Sequence, residues 1–395
     1  MSSPSLAWTR AVLTPGAVVF ALLFALDSMA RALLGTVVPL LALRVLGNAR
    51  DVSLLFSVIG WVGVALSLFI PAIVRRYRPR WVYTIGAGLL VVAPFLLALD
   101  SLFGLAGGML ARVFAAACLL NALNLYIMAY IRKRDLARSE PLRTFFSAFA
   151  WATGPFLGVY LYNDVSPWAT YLLSAGCALL LIAYFWRLRM EYGPALPADE
   201  PARTSPVANI RRYVAQPRLR LAWILNFGRE TWWVMFFIYG PLYMVTHGMS
   251  ETAGALLVSC GTAMLFTTPA MGWLGRRIGL RRFLMGGFLW VAAATFAAAL
   301  LVDRPGLTAA ALLAAAVGSV ALDSVCMVPF MRAVRGRERP EMTMVFSMYR
   351  DVAGLVPPAV FAALLSFLDL WSVFAAAAAF LAVCAWLARW IPRGM

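Results

Sequence analysis

The chain has 395 residues, of which 63% are hydrophobic and only 13% charged, and its formal net charge is +17. Soluble domains carry about 25% charged residues, so this composition excludes a soluble globular protein. A disulfide or zinc framework is unsupported, because Cys118, Cys177, Cys260, Cys326 and Cys384 each stand alone in apolar sequence without metal-ligand spacing.

Apolar runs of helical length recur along the chain, so the expected class is an all-α membrane protein rather than a barrel. Twelve transmembrane helices are predicted, near 16–43, 52–74, 81–99, 103–131, 142–162, 168–186, 219–245, 251–274, 282–302, 307–331, 342–368 and 371–390. The first span is too long for a signal-peptide core, so no cleaved leader is expected. Between the sixth and seventh spans, Pro194, Pro197, Pro201, Pro206 and Pro217 mark a linker on the membrane surface. The predicted division is a six-helix bundle over 1–186, a linker over 187–218 and a second six-helix bundle over 219–395.

The basic residues give the orientation. Most of the 34 Lys and Arg fall in the N-terminus, the even-to-odd loops, the linker and the C-terminus, whereas only Arg44, Arg50 and Arg304 lie in the opposite loops. The positive-inside rule makes both termini and the linker cytoplasmic, as in a bacterial-type inner membrane. The basic excess is thus a topology signal with no nucleic-acid patch, and it is compatible with anionic lipid head groups.

Eight charges lie inside predicted spans: Asp27, Arg31, Arg112, Arg229, Glu230, Asp323, Arg350 and Asp351. A charge at that depth costs about 2.5–3.5 kcal/mol on insertion scales, so each is expected to face protein or a wet cavity. Asp27 and Arg31 are spaced i, i+4 with the acid first, the favourable order for an ion pair on one helical face. A buried carboxylate whose cationic neighbour comes and goes as helices rock can carry a proton, and Asp27 is the first candidate. A permanent Asp27–Arg31 or Asp27–Arg112 salt bridge is the competing reading. Trp232 and Trp233 follow Glu230, and aromatics beside an acid suit an amphipathic or cationic ligand. Asp323 is open to substrate binding, a second proton or pairing with Arg350, and Asp351 to the same roles. Asn121 and Asn124, at i, i+3, either bind substrate or glue helices together. His247, the lone histidine, sits in an outer loop and is expected to be incidental.

The chain also repeats itself. Pro71-Ala72-Ile73-Val74-Arg75-Arg76-Tyr77-Arg78-Pro79-Arg80 follows the second span, and Gly272-Trp273-Leu274-Gly275-Arg276-Arg277-Ile278-Gly279-Leu280-Arg281-Arg282 follows the eighth. Two six-helix halves in parallel repeat are a known transporter architecture with a midplane site.

With these features the sequence resembles the major facilitator superfamily over essentially its whole length. The family's loop signature is matched at Gly272, Leu274, Gly275, Arg277, Gly279, Arg281 and Arg282, while the first copy keeps Ile73, Arg76 and Arg80. Both copies lack the family's acidic residue, with Arg75 and Arg276 in its place, so the latch that residue forms must use other partners here. Leu110-Ala111-Arg112 resembles the family's membrane arginine near the protonation site, which makes Arg112 the candidate neighbour of Asp27. Gly154-Pro155-Phe156-Leu157-Gly158 resembles the Gly-Pro-x-x-Gly element of its exporters, and Gly354-Leu355-Val356-Pro357-Pro358 stands at the equivalent place. The resemblance places the third, sixth, ninth and twelfth spans at the periphery, and those spans carry no charge at their centres.

The resemblance implies a monomeric secondary transporter in the lipid bilayer, without a cofactor, that exchanges protons for a small amphipathic molecule on export. Binding of an anionic metabolite by Arg31, Arg112, Arg229 and Arg350 is the second reading, and a non-transporting sensor or scaffold on the same fold is the third. With one histidine and no phosphate-binding loop, an enzyme or an ATP-driven pump is not expected.

Overall fold

The computed structural model describes residues 17–76, 78–130, 136–188, 206–335 and 338–392, and no strand occurs among them. The helices are α1 Ala17–Ala32, α2 Val37–Leu46, α3 Ala49–Arg76 and α4 Pro79–Leu97. They continue as α5 Leu102–Tyr130, α6 Leu136–Tyr160, α7 Pro167–Arg187 and α8 Pro206–Val214. Next come α9 Pro217–Thr246, α10 Glu251–Ala263, α11 Thr268–Ile278 and α12 Leu280–Leu300. The last four are α13 Pro305–Val325, α14 Val328–Ala333, α15 Arg339–Leu364 and α16 Trp371–Ala388.

Eight stretches of the described chain are long and apolar enough to cross a membrane: α1 with α2, α4, α5, α7, α10 with α11, α12, α13 with α14, and α16. Helices α3, α6, α9 and α15 occupy the other four predicted spans. They are 28, 25, 30 and 26 residues long but carry more charge. Buried termini must satisfy their own polar groups in such a setting, and proline sits in the first turn of many of these helices, where its missing N–H costs nothing.

The first span is not the single helix that its apolar run suggests. It breaks at Leu33–Thr36, between α1 and α2. Pro39 cannot donate to the carbonyl four residues back, at Gly35, and at Gly35 a Cβ would lie 3.0 Å from Ala32 O and 3.1 Å from the Trp151 ring. The eighth and tenth spans break in the same way. A 3-10 turn over Met264–Thr267 precedes Pro269, and Cys326–Met327 precedes Pro329.

Within residues 17–188, α4 packs on α5, and α1 on α6 and α7; within 206–392, α12 packs on α13 and α16. The two sets meet mainly where α3 lies against α15 and α6 against α10, and α2 also touches α9. A Cβ on Gly60 of α3 would lie 2.8 Å from the Gly354 carbonyl oxygen, and Ser57 Oγ donates to Leu355 O at 3.4 Å. On the other seam, Thr262 Oγ1 donates to Trp151 O at 2.7 Å and Phe156 N to Ser259 Oγ at 2.9 Å.

The linker helix α8 is docked on the second set. Its Tyr213 is buried among Leu219, Phe330, Met342 and Phe346, and the Tyr213 hydroxyl donates to Leu219 O at 2.9 Å. Burial pushes the Tyr213 phenol above its ordinary range. Arg212 reaches Glu338 at 2.9 Å and Glu341 at 3.1 Å, at the start of α15.

Candidate functional site

The broken first span is the centre of the amino-terminal site. Arg31 donates Nε to Asp27 Oδ1 at 3.0 Å and Nη2 to Asp27 Oδ2 at 2.6 Å, a two-pronged pair in the register that the sequence suggests. Asp27 is buried and Arg31 partly open.

Arg112 is not the neighbour of the Asp27 carboxylate that the resemblance implies. Its Nη2 donates to Arg31 O at 2.8 Å and its Nη1 to Leu34 O at 3.0 Å. The reason lies in the backbone. Where the helix breaks, Gly35 N turns to Ala32 O at 2.9 Å and leaves the Arg31 carbonyl without its helical donor. A buried orphan carbonyl is costly, and a guanidinium with several donors satisfies it.

The Gly-Pro-x-x-Gly element packs on the same break. A Cβ on Gly154 would lie 2.5 Å from the Ala32 Cβ, and one on Gly158 would collide with the Leu33 carbonyl. Pro155 stays inside a continuous α6. Gly354 has open space around its own Cβ position, so on the other seam Gly60 supplies the close approach.

In the carboxy-terminal set, Arg229 is bound to Asp323 and holds Glu230 at 2.7 Å. Arg229 also reaches the Tyr349 hydroxyl at 3.3 Å, and Arg350 Nε donates to that hydroxyl at 3.1 Å. Trp233 Nε1 donates to the second Asp323 oxygen at 3.0 Å. Asp323 therefore pairs with Arg229 rather than with Arg350, and Asp351 is exposed beside this group. Trp232 points elsewhere: it is fully buried, and its Nε1 donates to Thr295 Oγ1 at 2.9 Å. Adjacent residues point about 100° apart on a helix, so only Trp233 joins the charged group.

The remaining candidates are more dispersed. Asn121 is exposed and donates to Ala117 O of its own helix at 2.8 Å, while Asn124 is half-buried. In the second loop copy, Gly275 fits where a Cβ would lie 2.9 Å from Val325, and Gly279 has φ of 91°, in the left-handed region. Gly272 has looser surroundings, with Ser324 at 3.8 Å from a Cβ there. Arg277 lies over Trp273 at 4.0 Å, Arg281 is half-buried, and Arg80 lies over Trp186 at 4.4 Å. The side chain of Arg76, like that of Arg75, lies outside the described residues.

At the far end of the bundle from α8, three elements are tied together. Arg44 of α2 pairs with Glu251 at the start of α10, and donates to Asn163 Oδ1 at 3.2 Å. Asn163 stands in a π-helical turn, Leu161–Val165, and donates to Glu251 Oε2 at 3.1 Å. Nearby, Tyr239 of α9 donates its hydroxyl to Ser53 Oγ of α3 at 2.7 Å. Between these ties and the charged groups both central helices are buried, from Val37 to Ala42 and from Ile238 to Met244. Below that level half-buried positions appear: Met29, Arg31 and Gly35 on the first span, and Glu230, Val234 and Phe237 on α9. A separate cavity of about 650 Å³ at the Glu251 end is lined by Asp51, Asp303, Asp369, His247 and Trp371.

Sequence reading missed Tyr349, Trp151 and the Arg44–Asn163–Glu251 tie. Trp151 stands three residues before Gly154, and Tyr349 beside Arg350, so proximity to a motif was the available signal for each. The tie had only opposite charges in loops on one side.

The family model of the Major Facilitator Superfamily matches residues 20–356. No curated protein matches significantly. Among solved structures, the chain is similar to a POT family transporter in complex with 5-aminolevulinic acid, with TM-score 0.79, 11% identity and 94% of each chain covered. It is similar to the nucleoside transporter NupG, with TM-score 0.69 and 14% identity over 94% of this chain and 98% of that one. It is also similar to a bacterial homologue of the human lysosomal transporter Spinster, with TM-score 0.68 and 14% identity over 98% and 97%. A family match over most of the chain, on an all-helical fold with many membrane-length apolar helices, is decisive: this chain belongs to the Major Facilitator Superfamily and is a multi-pass membrane transporter rather than an enzyme.

Proposed function

We propose that the chain is a secondary transporter of twelve spans, arranged as halves 1–186 and 219–395 around the linker, that works by alternating access. It exports a small amphipathic organic compound in exchange for protons, from an inner membrane with both termini cytoplasmic and as a monomer. The observation that carries this reading is the level at which exposure stops. On the first span and on α9, half-buried positions give way beyond Gly35 and Phe237 to the buried stretches Val37–Ala42 and Ile238–Met244, which lie below the Arg44–Glu251 tie. Because the positive-inside rule assigns the α8 end to the cytoplasm, the chamber is inward-facing. The Spinster homologue, similar in fold, is described as inward-facing and unoccupied.

Asp27 is the proton carrier in this reading, and Arg31 is the cation that must leave it. Each of the four membrane arginines already has an acceptor or hydroxyl partner within the protein. That weighs against an anion-binding site built from them, since a bound anion would have to displace those partners.

Proteoliposomes with an imposed pH step decide the coupling. Asp27→Asn is expected to abolish accumulation driven by the gradient and to leave substrate exchange intact. Undiminished accumulation by the variant would remove Asp27 from the mechanism.

A further inference from the structure

We infer that Trp151 forms the roof of the central chamber with Phe237, and that it selects ligands carrying a flat aromatic ring together with a cationic group. This rests on the chamber proposed above and adds the ligand's chemistry to it.

Trp151 meets both central helices at the level where their exposure stops. A Cβ on Gly35 would lie 3.1 Å from its Cζ3, so the ring is seated on the bare backbone of the break in the first span. On the other side its ring centre is 5.3 Å from that of Phe237 of α9. Phe237 continues to Trp233 at 5.7 Å, and Trp233 Nε1 holds Asp323 at 3.0 Å. The Trp151 main chain is fixed as well, because its carbonyl accepts from Thr262 Oγ1 of α10 at 2.7 Å. One aromatic row therefore runs from the broken first span, through the seam between the two helix sets, to the charged group around Arg229.

Trp151 and Phe237 are both half-buried, unlike the neighbouring Phe236 and Trp232, which are fully buried. Each thus keeps part of its surface uncovered, which a ligand's ring can meet. Glu230 lies on the same face of α9 as Phe237, seven residues earlier, or about 10 Å along the axis. It is the more open member of its pair, with its side chain 25% exposed against 12% for Arg229. A ligand whose ring lies under Trp151 and whose ammonium points toward the α8 end meets the Glu230 carboxylate there, at the oxygen other than the Oε2 that Arg229 holds, so the pair need not break. Aromatic contacts of offset or edge geometry favour a ring over an alkyl chain of equal area by about 2- to 12-fold in affinity.

Two probes of equal charge test this on the purified full-length protein by titration calorimetry: 4-phenylbutyltrimethylammonium and heptyltrimethylammonium. The wild type is expected to prefer the phenyl probe several-fold. Trp151→Leu is expected to bring the ratio of dissociation constants close to one, through the phenyl probe alone, and Trp151→Phe to keep most of it. Should Trp151→Leu fail to fold, Phe237→Leu reads the same contact from the other helix. An unchanged ratio in the leucine variants, or an equal loss for both probes, overturns the role of Trp151. If both probes bind with an affinity that falls in Glu230→Gln while the ratio ignores residue 151, the chamber stands and only the roof assignment is lost. If neither probe binds the wild type, the cationic-ligand reading falls and the assignment falls with it.

Discussion

Arg112 holds the main-chain carbonyl of Arg31 at 2.8 Å, across from α5 to the end of α1. Its charge is thus directed at a broken helix end and not at the Asp27 carboxylate, which Arg31 itself occupies. This separates two roles that one cluster of charges would otherwise share: Arg112 keeps the first span broken, and Arg31 answers to Asp27.

Arg112→Ala leaves the carbonyls of Arg31 and Leu34 unpaired in a dry setting. A loss of about 1–3 kcal/mol in stability is expected, visible as a lower unfolding midpoint in detergent. Arg112→Lys, with fewer donors and no fork, is expected to recover only part of it. A destabilisation that is absent in Arg112→Ala would remove its role as a cap.

Arg229 and Asp323 form a pair between α9 and α13. Arg229→Gln, which leaves Asp323 and Glu230 without their cation, is expected to cost about 3 kcal/mol, and Asp323→Asn less, because Glu230 still pairs with Arg229. The double variant is expected to be more stable than the sum of the two losses allows. Simple additivity in a thermal double-mutant cycle would contradict the pairing.

Gly158→Ala and Gly354→Ala make a matched comparison. The first drives a Cβ into the Leu33 backbone, whereas the second enters open space. Gly158→Ala is expected to lose at least about 1–3 kcal/mol, as overpacked sites do, and with it transport. Gly354→Ala is expected to fold and transport normally. Equal behaviour of the two in expression and transport assays would show that the two Gly-Pro elements are interchangeable.

Glu251→Gln weakens the tie to Arg44 and Asn163 that closes one end. A cysteine placed at Leu41, buried in this state, is then expected to react faster with a membrane-impermeant maleimide added from outside. An unchanged labelling rate would mean that this tie does not hold the chamber shut.

Arg212→Ala frees the linker helix from Glu338 and Glu341. The pair is partly exposed, so its loss should change stability by about 1 kcal/mol or less. Limited trypsin digestion, rather than a melting curve, is the sensitive readout, with faster cleavage next to α8 expected in the variant.

The sequence alone determined the class and the helical content. Hydrophobic runs long enough for a bilayer leave no other solution, because backbone polar groups in lipid must be satisfied within a helix. It also marked Asp27 with Arg31, since an i, i+4 pair lies on one helix whatever its surroundings. It marked Gly154 and Gly158 through the Gly-Pro-x-x-Gly pattern, and the structure packs both against the break after α1. What it did not determine was which distant residues meet. Arg112 went to carbonyls because a break in the first span released them, and that break depends on how Gly35 and Pro39 share one turn. Trp232 and Trp233 are equivalent as letters, yet the rotation of α9 sends one to Thr295 and the other to Asp323. Tyr349, Trp151 and the Arg44–Glu251 tie draw their places from contacts between helices far apart in the chain. Sequence periodicity reports the face of one helix, and only the packed bundle fixes what that face touches.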